Sequence, residues 1–243
     1  MIGATVRGVN APGVSRGDAS GRVRQSRPMP APFSAIIFDL DGTLVDSYEA
    51  IAESLNAVRA RFGLAPLGLP EVRRAVGHGL PSLIRENVGE ENTHEGVRLF
   101  RARYRRIYRE KTRWMPDVEP ALRTLGVRGI PMAITSNKPA YFSREIVAAL
   151  GALDLFTAVL GPEMVLHPKP DPEMVQMAVE TLETPAAQVL YVGDMTIDIE
   201  TCRRAELAVA VIPGGSDTAE TLAAARPDFL LERFEEVLGL VRS

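Results

Sequence analysis

The sequence predicts an α/β protein in which helices cover both faces of a parallel sheet and a second, all-helical domain is inserted into the chain. Three observations lead to this prediction. From Ser34 onward, short apolar runs alternate with stretches of helical periodicity. The runs are apolar at successive positions, which is typical of strands buried on both faces. Residues 48–114 lack such runs and carry helical periods instead.

Six apolar runs are predicted to be the strands of this sheet. They are residues 35–38, 131–135, 158–160, 189–192, 208–212 and 229–231. Helical periods follow several of them. These predicted helices are residues 142–150, 172–183, 195–206 and 217–225. Strands separated by helices in this way indicate a Rossmann-like sheet whose strands run parallel.

The insertion between the first two predicted strands is interpreted as a helical cap domain, residues 48–114. Apolar residues recur there at helical spacing in two places. They are Ile51, Leu55, Val58 and Phe62, and then Phe100, Tyr104, Ile107 and Tyr108. The many arginines between Arg98 and Arg113 are interpreted as a solvated helix face rather than an anion site. Residues 34–47 and 115–243 then form the α/β core into which this domain is inserted.

Residues 1–33 differ in composition from the rest of the chain. They contain five Gly, four Pro and five Arg, with Asp18 as the single acid and no apolar period. Such a segment buries too little surface to offset the entropy of ordering, so we predict a flexible tail. A basic arm for an anionic partner is the alternative. Met29 precedes the first predicted strand, so a further hypothesis is that Met29 is the native start and residues 1–28 are a mis-assigned extension.

Composition excludes several classes of protein. A net charge of −3 gives no overall attraction to nucleic acid or to anionic membranes. No apolar run is long enough to span a bilayer, and the single cysteine, Cys202, excludes an internal disulfide framework. We expect a cytoplasmic monomer or homodimer without a nucleic-acid or membrane partner. Arginine is the usual cation, so each of the three lysines (Lys111, Lys138 and Lys169) draws interest.

Two acidic clusters follow predicted strands. Asp39 and Asp41 end the first strand, and Asp194 and Asp198 follow the fourth. Ligands bind at the carboxyl edge of open parallel sheets, so the two clusters can converge there. Carboxylate oxygens without His or Cys favour Mg²⁺. The structural alternatives are an Asx turn for the first cluster and a helix N-cap for the second.

Two further segments supply hydrogen-bond donors and positive charge. Thr135-Ser136-Asn137-Lys138 ends the second predicted strand, where hydroxyl, amide and backbone N–H groups could hold a phosphate oxygen. In His167-Pro168-Lys169-Pro170-Asp171-Pro172, three prolines restrict the backbone and place the lysine at a defined position. Ordinary surface turns are the alternative for both segments.

The four segments, in this order and at these spacings, resemble the haloacid dehalogenase superfamily over residues 34–243. Within it, the chain most resembles the phosphoglycolate phosphatase-like branch. The resemblance rests on these motifs: Asp39-Leu40-Asp41-Gly42-Thr43-Leu44, Val76-Gly77-His78-Gly79-Leu80, Ser136-Asn137-Lys138-Pro139, Lys169-Pro170-Asp171-Pro172 and Val192-Gly193-Asp194. Two positions depart from it: Met195 replaces a small hydroxyl residue, and Asp117 replaces the glycine of a Pro-Gly-Val segment.

The resemblance implies a role for each matching residue. Asp39 is the nucleophile and Asp41 the general acid/base. Mg²⁺ would bind the Asp39 and Asp194 carboxylates and the Asp41 backbone carbonyl, with Asp198 in support. Lys169, Asn137 and Ser136 would contact the substrate, although Thr135 could replace Ser136. His78 is a candidate substrate contact from the cap, or else a surface histidine.

The function implied is that of a Mg²⁺-dependent phosphatase. It would hydrolyse a small phosphorylated metabolite through an aspartyl-phosphate, with 2-phosphoglycolate as a candidate substrate. A β-phosphoglucomutase-like phosphomutase and an inorganic pyrophosphatase are the alternatives within the same branch. A non-catalytic binding protein is a third hypothesis, which the presence of all four core residues (Asp39, Asp41, Lys169 and Asp194) disfavours.

Overall fold

The computed structural model describes residues 32–243. The predicted tail therefore lies outside the described residues except at its end. Phe33, assigned to the tail by its composition, instead belongs to the fold. It is 2% exposed, forms a parallel bridge with Val241 and packs edge-to-face against Phe229.

The main sheet has six parallel strands, as predicted. Their bounds are β1 Ala35–Phe38, β4 Met132–Thr135, β5 Ala158–Leu160, β6 Val189–Gly193, β7 Ala208–Val211 and β8 Phe229–Leu230. Their order is β5-β4-β1-β6-β7-β8. The chain winds outward in both directions from β1, so the carboxyl ends of β1, β4 and β6 meet at a topological switch point.

Both faces of the sheet are buried, because alternate residues of each strand enter different cores. Ile36 and Phe38 of β1 pack in one cluster, which also contains cap residues such as Leu55. Ile37 packs in the other cluster with Val175 and Cys202. Cys202 is therefore a packing residue, and β1 is apolar throughout because it has no solvated face.

Helices form the layers around the sheet and the cap. The core helices are α5 Val118–Val127, α6 Ala140–Ala149, α7 Glu173–Thr181, α8 Thr196–Arg204 and α9 Ala219–Ala224. The cap helices are α1 Tyr48–Arg61, α2 Leu69–Ala75, α3 Leu80–Val88 and α4 Thr93–Ile107. Within residues 32–243, none of these helices combines the length and apolarity that crossing a membrane requires.

A short antiparallel ribbon lies where the chain enters and leaves the cap. Its strands are β2 Val45–Asp46 and β3 Arg113–Trp114, with Val45 opposite Trp114. Asp117, which replaces the glycine of the resembling segment, has φ = 63°. Aspartate is among the few residues that adopt this left-handed conformation, and Arg233 pairs with its carboxylate at 3.1 Å. The substitution therefore preserves the local backbone.

Candidate active site

Three buried carboxylates converge at the carboxyl edge of the sheet. The backbone N–H of Asp39 donates to the carbonyl of Val192 at 2.9 Å, which places the ends of β1 and β6 side by side. One carboxylate oxygen from each of Asp39, Asp194 and Asp198 lies within 4.8 Å of the others. The predicted convergence of the two acidic clusters is thus present, and these oxygens could hold a metal ion.

Lys169 crosses the site from the loop before α7. Its Nζ donates to Asp39 Oδ1 at 2.7 Å, to Asp198 Oδ1 at 2.8 Å and to the Tyr191 hydroxyl at 2.9 Å. Two carboxylates stabilise its charge, so its pKa lies well above the usual value despite the opposing effect of burial. The apolar run at residues 189–192 predicts that Tyr191 is a core residue of a strand, yet its hydroxyl contacts Lys169 in the site.

Asp198 organises its neighbours rather than facing open space. Its Oδ1 accepts from Lys169 and from the Tyr191 hydroxyl, the latter at 3.1 Å. Its Oδ2 accepts the backbone N–H groups of Asp194 at 3.2 Å and Met195 at 3.1 Å. These four bonds use about all the lone-pair directions of a carboxylate. The geometry therefore fits a supporting role better than direct metal coordination.

Two donors hold the Asp194 carboxylate in place. The hydroxyl of Thr43 donates to Oδ1 at 2.8 Å, and the backbone N–H of Ser216 donates to Oδ2 at 2.7 Å. A side chain at Gly42 or Gly215 would collide with this carboxylate. Thr43 and Ser216 were not predicted as site residues. Ser216 contributes its main-chain N–H. A main-chain contact of this kind cannot be predicted from the type of residue.

Asp41 faces away from the three-carboxylate cluster. Its Oδ1 accepts from the Ser47 hydroxyl, and its Oδ2 pairs with Lys138 Nζ at 2.7 Å. Lys138 Nζ also lies 4.9 Å from the ring centroid of Tyr104 in α4. Burial lowers the pKa of Lys138, but pairing with Asp41 outweighs it and raises the pKa above its usual value. The site thus contains a second buried lysine beside Asp41.

The buried charges at the site do not balance among the protein groups. Among residues 32–243, Asp39, Asp41, Asp194 and Asp198 face two ammonium groups, those of Lys138 and Lys169. Burial raises the pKa of Asp39 to about 7, although Lys169 opposes this effect. Burial and the Asp39 charge raise the pKa of Asp194 well above its usual value. The two uncompensated negative charges match one divalent cation, so the donor set fits such an ion.

The polar residues at the end of β4 and directly after it have different roles: one lines the cavity, and the others bond within the protein. Thr135 donates its hydroxyl to Tyr191 at 3.3 Å, whereas Ser136 lines the cavity beside Asp39. Asn137 Nδ2 donates to the carbonyls of Gly77 at 2.9 Å and Lys169 at 3.0 Å, and its Oδ1 accepts the Lys169 N–H at 3.0 Å. Both amide donors are therefore used within the protein, and Asn137 links the cap to the core.

The reacting groups open into a cavity of about 80 Å³ between cap and core. Asp39, Asp41, Lys138 and Lys169 form its polar side. Its apolar side consists of residues from both domains, including Ile51, Leu83, Phe100, Phe142 and Met195. His78 lies outside this cavity, in an adjoining cleft of about 610 Å³ that also contains Arg101 and Arg105. The structure thus places His78 away from the carboxylates.

Comparison with known proteins gives consistent results. Residues 36–212 match the family of haloacid dehalogenase-like hydrolases. A phosphoglycolate phosphatase from Rhodobacter capsulatus is 40% identical over 190 residues, which cover 74% of this chain and 84% of that protein. A phosphoglycolate phosphatase from Pseudomonas syringae pv. tomato is 29% identical, and the match covers 84% of this chain and 78% of that protein.

Solved structures show the same architecture. The crystal structure of a predicted phosphoglycolate phosphatase from Haemophilus somnus superposes with a TM-score of 0.77 at 27% identity, covering 86% of this chain and 98% of the other. CbbY from Rhodobacter sphaeroides, solved in complex with phosphate, superposes with a TM-score of 0.74 at 22% identity, covering 86% and 99%. At 22% identity, the similarity to CbbY shows a shared fold.

Proposed function

Because this chain belongs to the haloacid dehalogenase-like hydrolase family and is a phosphatase, we propose that it hydrolyses 2-phosphoglycolate with Mg²⁺ as its metal ion and Asp39 as its nucleophile. One observation carries this proposal: Asp39 lies beside Asp194 and Asp198 and is held by Lys169 through a single oxygen. Among residues 32–243, its Oδ2 has no hydrogen-bond partner, so this oxygen is free to react.

The reaction proceeds in two displacement steps at phosphorus. Asp39 Oδ2 attacks the phosphorus, the ester P–O bond breaks, and Asp41, which is protonated when the substrate binds, transfers its proton to the departing oxygen. Asp41 then takes a proton from a water molecule that attacks the phosphorus of the aspartyl-phosphate. The P–O bond to Asp39 breaks and inorganic phosphate leaves. Proton transfer by a positioned group of this kind contributes about 10²–10⁴ in rate.

The approach of a phosphate dianion to Asp39 needs positive charge. Two unit charges about 4 Å apart repel each other by about 4 kcal/mol at an effective dielectric constant near 20. Lys169 offsets part of this repulsion and orients the nucleophile, and the Ser136 hydroxyl is placed to donate to a phosphoryl oxygen. The Asp39 and Asp194 carboxylates and the Asp41 carbonyl would hold Mg²⁺, which would supply Lewis-acid neutralisation of the negative charge on the phosphoryl oxygens.

The names of the relatives support a small substrate. The relatives at 40% and 29% identity are both named phosphoglycolate phosphatase. The mutase and pyrophosphatase alternatives are therefore not favoured. A cytoplasmic location and a monomeric or homodimeric state stay predictions.

Replacement of the nucleophile tests the mechanism. We expect Asp39→Asn to reduce Mg²⁺-dependent phosphate release from 2-phosphoglycolate by at least about 10³-fold, because an amide cannot form the acyl phosphate. The exposed Asp154 provides a matched control, and Asp154→Asn should retain activity. Circular dichroism would verify that both variants fold. Undiminished turnover in a folded Asp39→Asn variant would overturn the assignment.

A substrate panel tests the proposed specificity separately. Wild-type enzyme should show a kcat/KM for 2-phosphoglycolate at least tenfold above those for glucose 1-phosphate and pyrophosphate. Isomerisation of a sugar phosphate without phosphate release would instead identify a mutase.

A further inference from the structure

The cavity contains a cation that the chemistry at phosphorus does not use. Lys169 already contacts the nucleophile, whereas Lys138, which also lines the cavity, pairs with Asp41 and has 9% of its side chain exposed. Its Nζ is 2.7 Å from Asp41 Oδ2 and has two further N–H donors. The neighbouring cavity wall is apolar, with Phe100 and Phe142 among its residues. A buried ammonium in such surroundings needs an anionic or polar partner.

The Tyr104 side chain, next to Lys138, ends in a hydroxyl with unused hydrogen-bonding capacity. Within residues 32–243, Tyr104 Oη and Thr112 Oγ1 are the buried side-chain polar atoms that make no hydrogen bond. Leaving such a group unpaired costs about 1–3 kcal/mol. The ring of Tyr104 lies under the Lys138 ammonium and lines the cavity. Unused donors on the lysine and the tyrosine are therefore close to each other at one end of the cavity.

The position of Asp41 shows which part of the substrate reaches this end. Asp41 protonates the ester oxygen of the leaving group, so the leaving group must lie against Asp41 and hence against Lys138. In 2-phosphoglycolate, a single methylene separates that oxygen from the carboxylate. An ammonium group 2.7 Å from Asp41 is therefore placed to meet this carboxylate.

We propose that Lys138 and the Tyr104 hydroxyl form a carboxylate subsite that selects phosphate esters of 2-hydroxy acids. This inference rests on the proposed phosphatase function and assigns a part of the leaving group to named residues. The subsite spans the core and the cap, because Lys138 follows β4 and Tyr104 belongs to α4. The ion pair with Asp41 orients the ammonium group of Lys138. The substrate carboxylate accepts hydrogen bonds from the remaining N–H groups of this ammonium.

The test compares two substrates that differ in the carboxylate, 2-phosphoglycolate and ethyl phosphate. Lys138→Met should lower kcat/KM for both, since Asp41 loses its partner. The ratio of kcat/KM for 2-phosphoglycolate to that for ethyl phosphate should fall by a further 10- to 100-fold, as expected for a lost charged hydrogen bond. Lys111→Met, at a lysine on the cap surface, is the matched control and should leave the ratio unchanged.

A second variant and a binding measurement make the test independent of folding and of turnover. Tyr104→Phe removes only the hydroxyl and keeps the ring, and it should lower the same ratio about three- to tenfold. In an Asp39→Asn background, calorimetry should show that Lys138→Met weakens binding of 2-phosphoglycolate at least tenfold more than binding of ethyl phosphate.

The outcomes separate this inference from the function on which it rests. If wild-type enzyme prefers 2-phosphoglycolate and folded Lys138→Met keeps that preference, the carboxylate subsite is wrong and the phosphatase assignment stands. If wild-type enzyme hydrolyses ethyl phosphate but shows no preference for 2-phosphoglycolate, the proposed substrate is wrong. If neither ester is hydrolysed and Asp39→Asn changes nothing, the proposed mechanism itself fails.

Discussion

Single residues at the site are under electrostatic strain when no cation is bound. Burial raises the pKa of Asp39 from its ordinary 3.8 to about 7 and raises that of Asp194 well above its usual value. Between pH 4 and pH 7, the folded protein thus holds a proton on Asp39 that the unfolded chain releases. The contribution of this group to stability is complete below about pH 4 and is lost as the pH rises to about 7.

This linkage predicts an unusual pH dependence for the metal-free protein. In EDTA, the urea midpoint of wild type should fall between pH 4.5 and pH 7.5 by more than that of Asp39→Asn, whose amide does not titrate. Mg²⁺ should raise the wild-type midpoint more at pH 7.5 than at pH 4.5, because it binds the ionised carboxylates. An equal pH dependence in both proteins would contradict the raised pKa of Asp39.

Gly42 gives a second prediction for a single residue. Its φ is +91°, and a Cβ there would collide with the Tyr48 hydroxyl and the Asp194 carboxylate. Gly129 has φ = +67° with nothing within 4 Å of a Cβ, so it isolates the backbone cost, about 1–2 kcal/mol. We expect Gly42→Ala to lower the free energy of unfolding by about 1–3 kcal/mol more than Gly129→Ala. Urea titration would measure the difference.

Some residues of the site can be predicted from the sequence by their residue type, and others cannot. The acids could be predicted because they follow apolar runs at the ends of buried strands, and Lys169 could be predicted because prolines restrict the loop that carries it. Tyr191 could not, since a tyrosine within an apolar run resembles a core residue. Ser216 contributes a backbone N–H that every residue except proline possesses, and Asn137 uses its amide to hold the cap instead of presenting it to a ligand.

Among the elements, α4 is the helix on which the cap depends most. It packs on α1 and α3, and Gly96 allows the close approach. A Cβ at this glycine would collide with Ile84 and lie 3.3 Å from Val58. Its arginines partly pair with neighbouring acids, as Arg103 does with Glu53. The helix thus has one face fixed by packing and another that is exposed or ion-paired.

A glycine-to-alanine pair tests this packing. Alanine at position 96 gains helix propensity of about 1 kcal/mol, but overpacking in a filled core costs about 1–3 kcal/mol. We expect Gly96→Ala to destabilise the protein, with a lower thermal midpoint. In α5, Gly126 faces only the flexible end of Leu155 at 3.0 Å, so Gly126→Ala should instead be stabilising by up to about 1 kcal/mol. A stabilising Gly96→Ala would show that the cap interior is loosely packed.

The helices and strands that could be predicted are those whose local sequence has a strong hydrophobic pattern. All six strands of the main sheet were predicted to within two residues, because two-sided burial makes them apolar at nearly every position. Helix α5 was not predicted, and the ribbon of β2 and β3 is too short for a period to appear. The ribbon pairs residues 45–46 with residues 113–114. Residues so far apart in the sequence leave no local pattern from which their pairing could be predicted.

At the scale of the whole molecule, the active site is complete only when cap and core meet. Asn137 makes this connection, since its side chain joins Gly77 of the cap to the backbone of Lys169. Met195, which departs from the resembling motif, fills the space beside Gly77: a Cβ added at Gly77 would collide with it. Closure of the cap and placement of the lysine therefore depend on the same amide group.

Loss of this amide should affect both domains together. Asn137→Ala is expected to lower kcat/KM for 2-phosphoglycolate by about 10- to 100-fold and to speed proteolysis near Gly77, because the loop loses its tether and Lys169 loses its backbone partners. Asn87→Ala, at a cap residue that does not itself line the cavity, is the control for amide loss. Unchanged proteolysis together with reduced activity would limit the role of Asn137 to Lys169.

The distribution of the lysines has a practical consequence. Two of the three are buried at the catalytic cavity and paired with carboxylates, while Lys111 has 29% of its side chain exposed. Among the three lysines, an amine-reactive fluorophore should therefore attach at Lys111 and spare the two buried ammonium groups. Lys111 lies close to the ribbon between the two domains, so a dye attached there would report cap movement without any engineered cysteine.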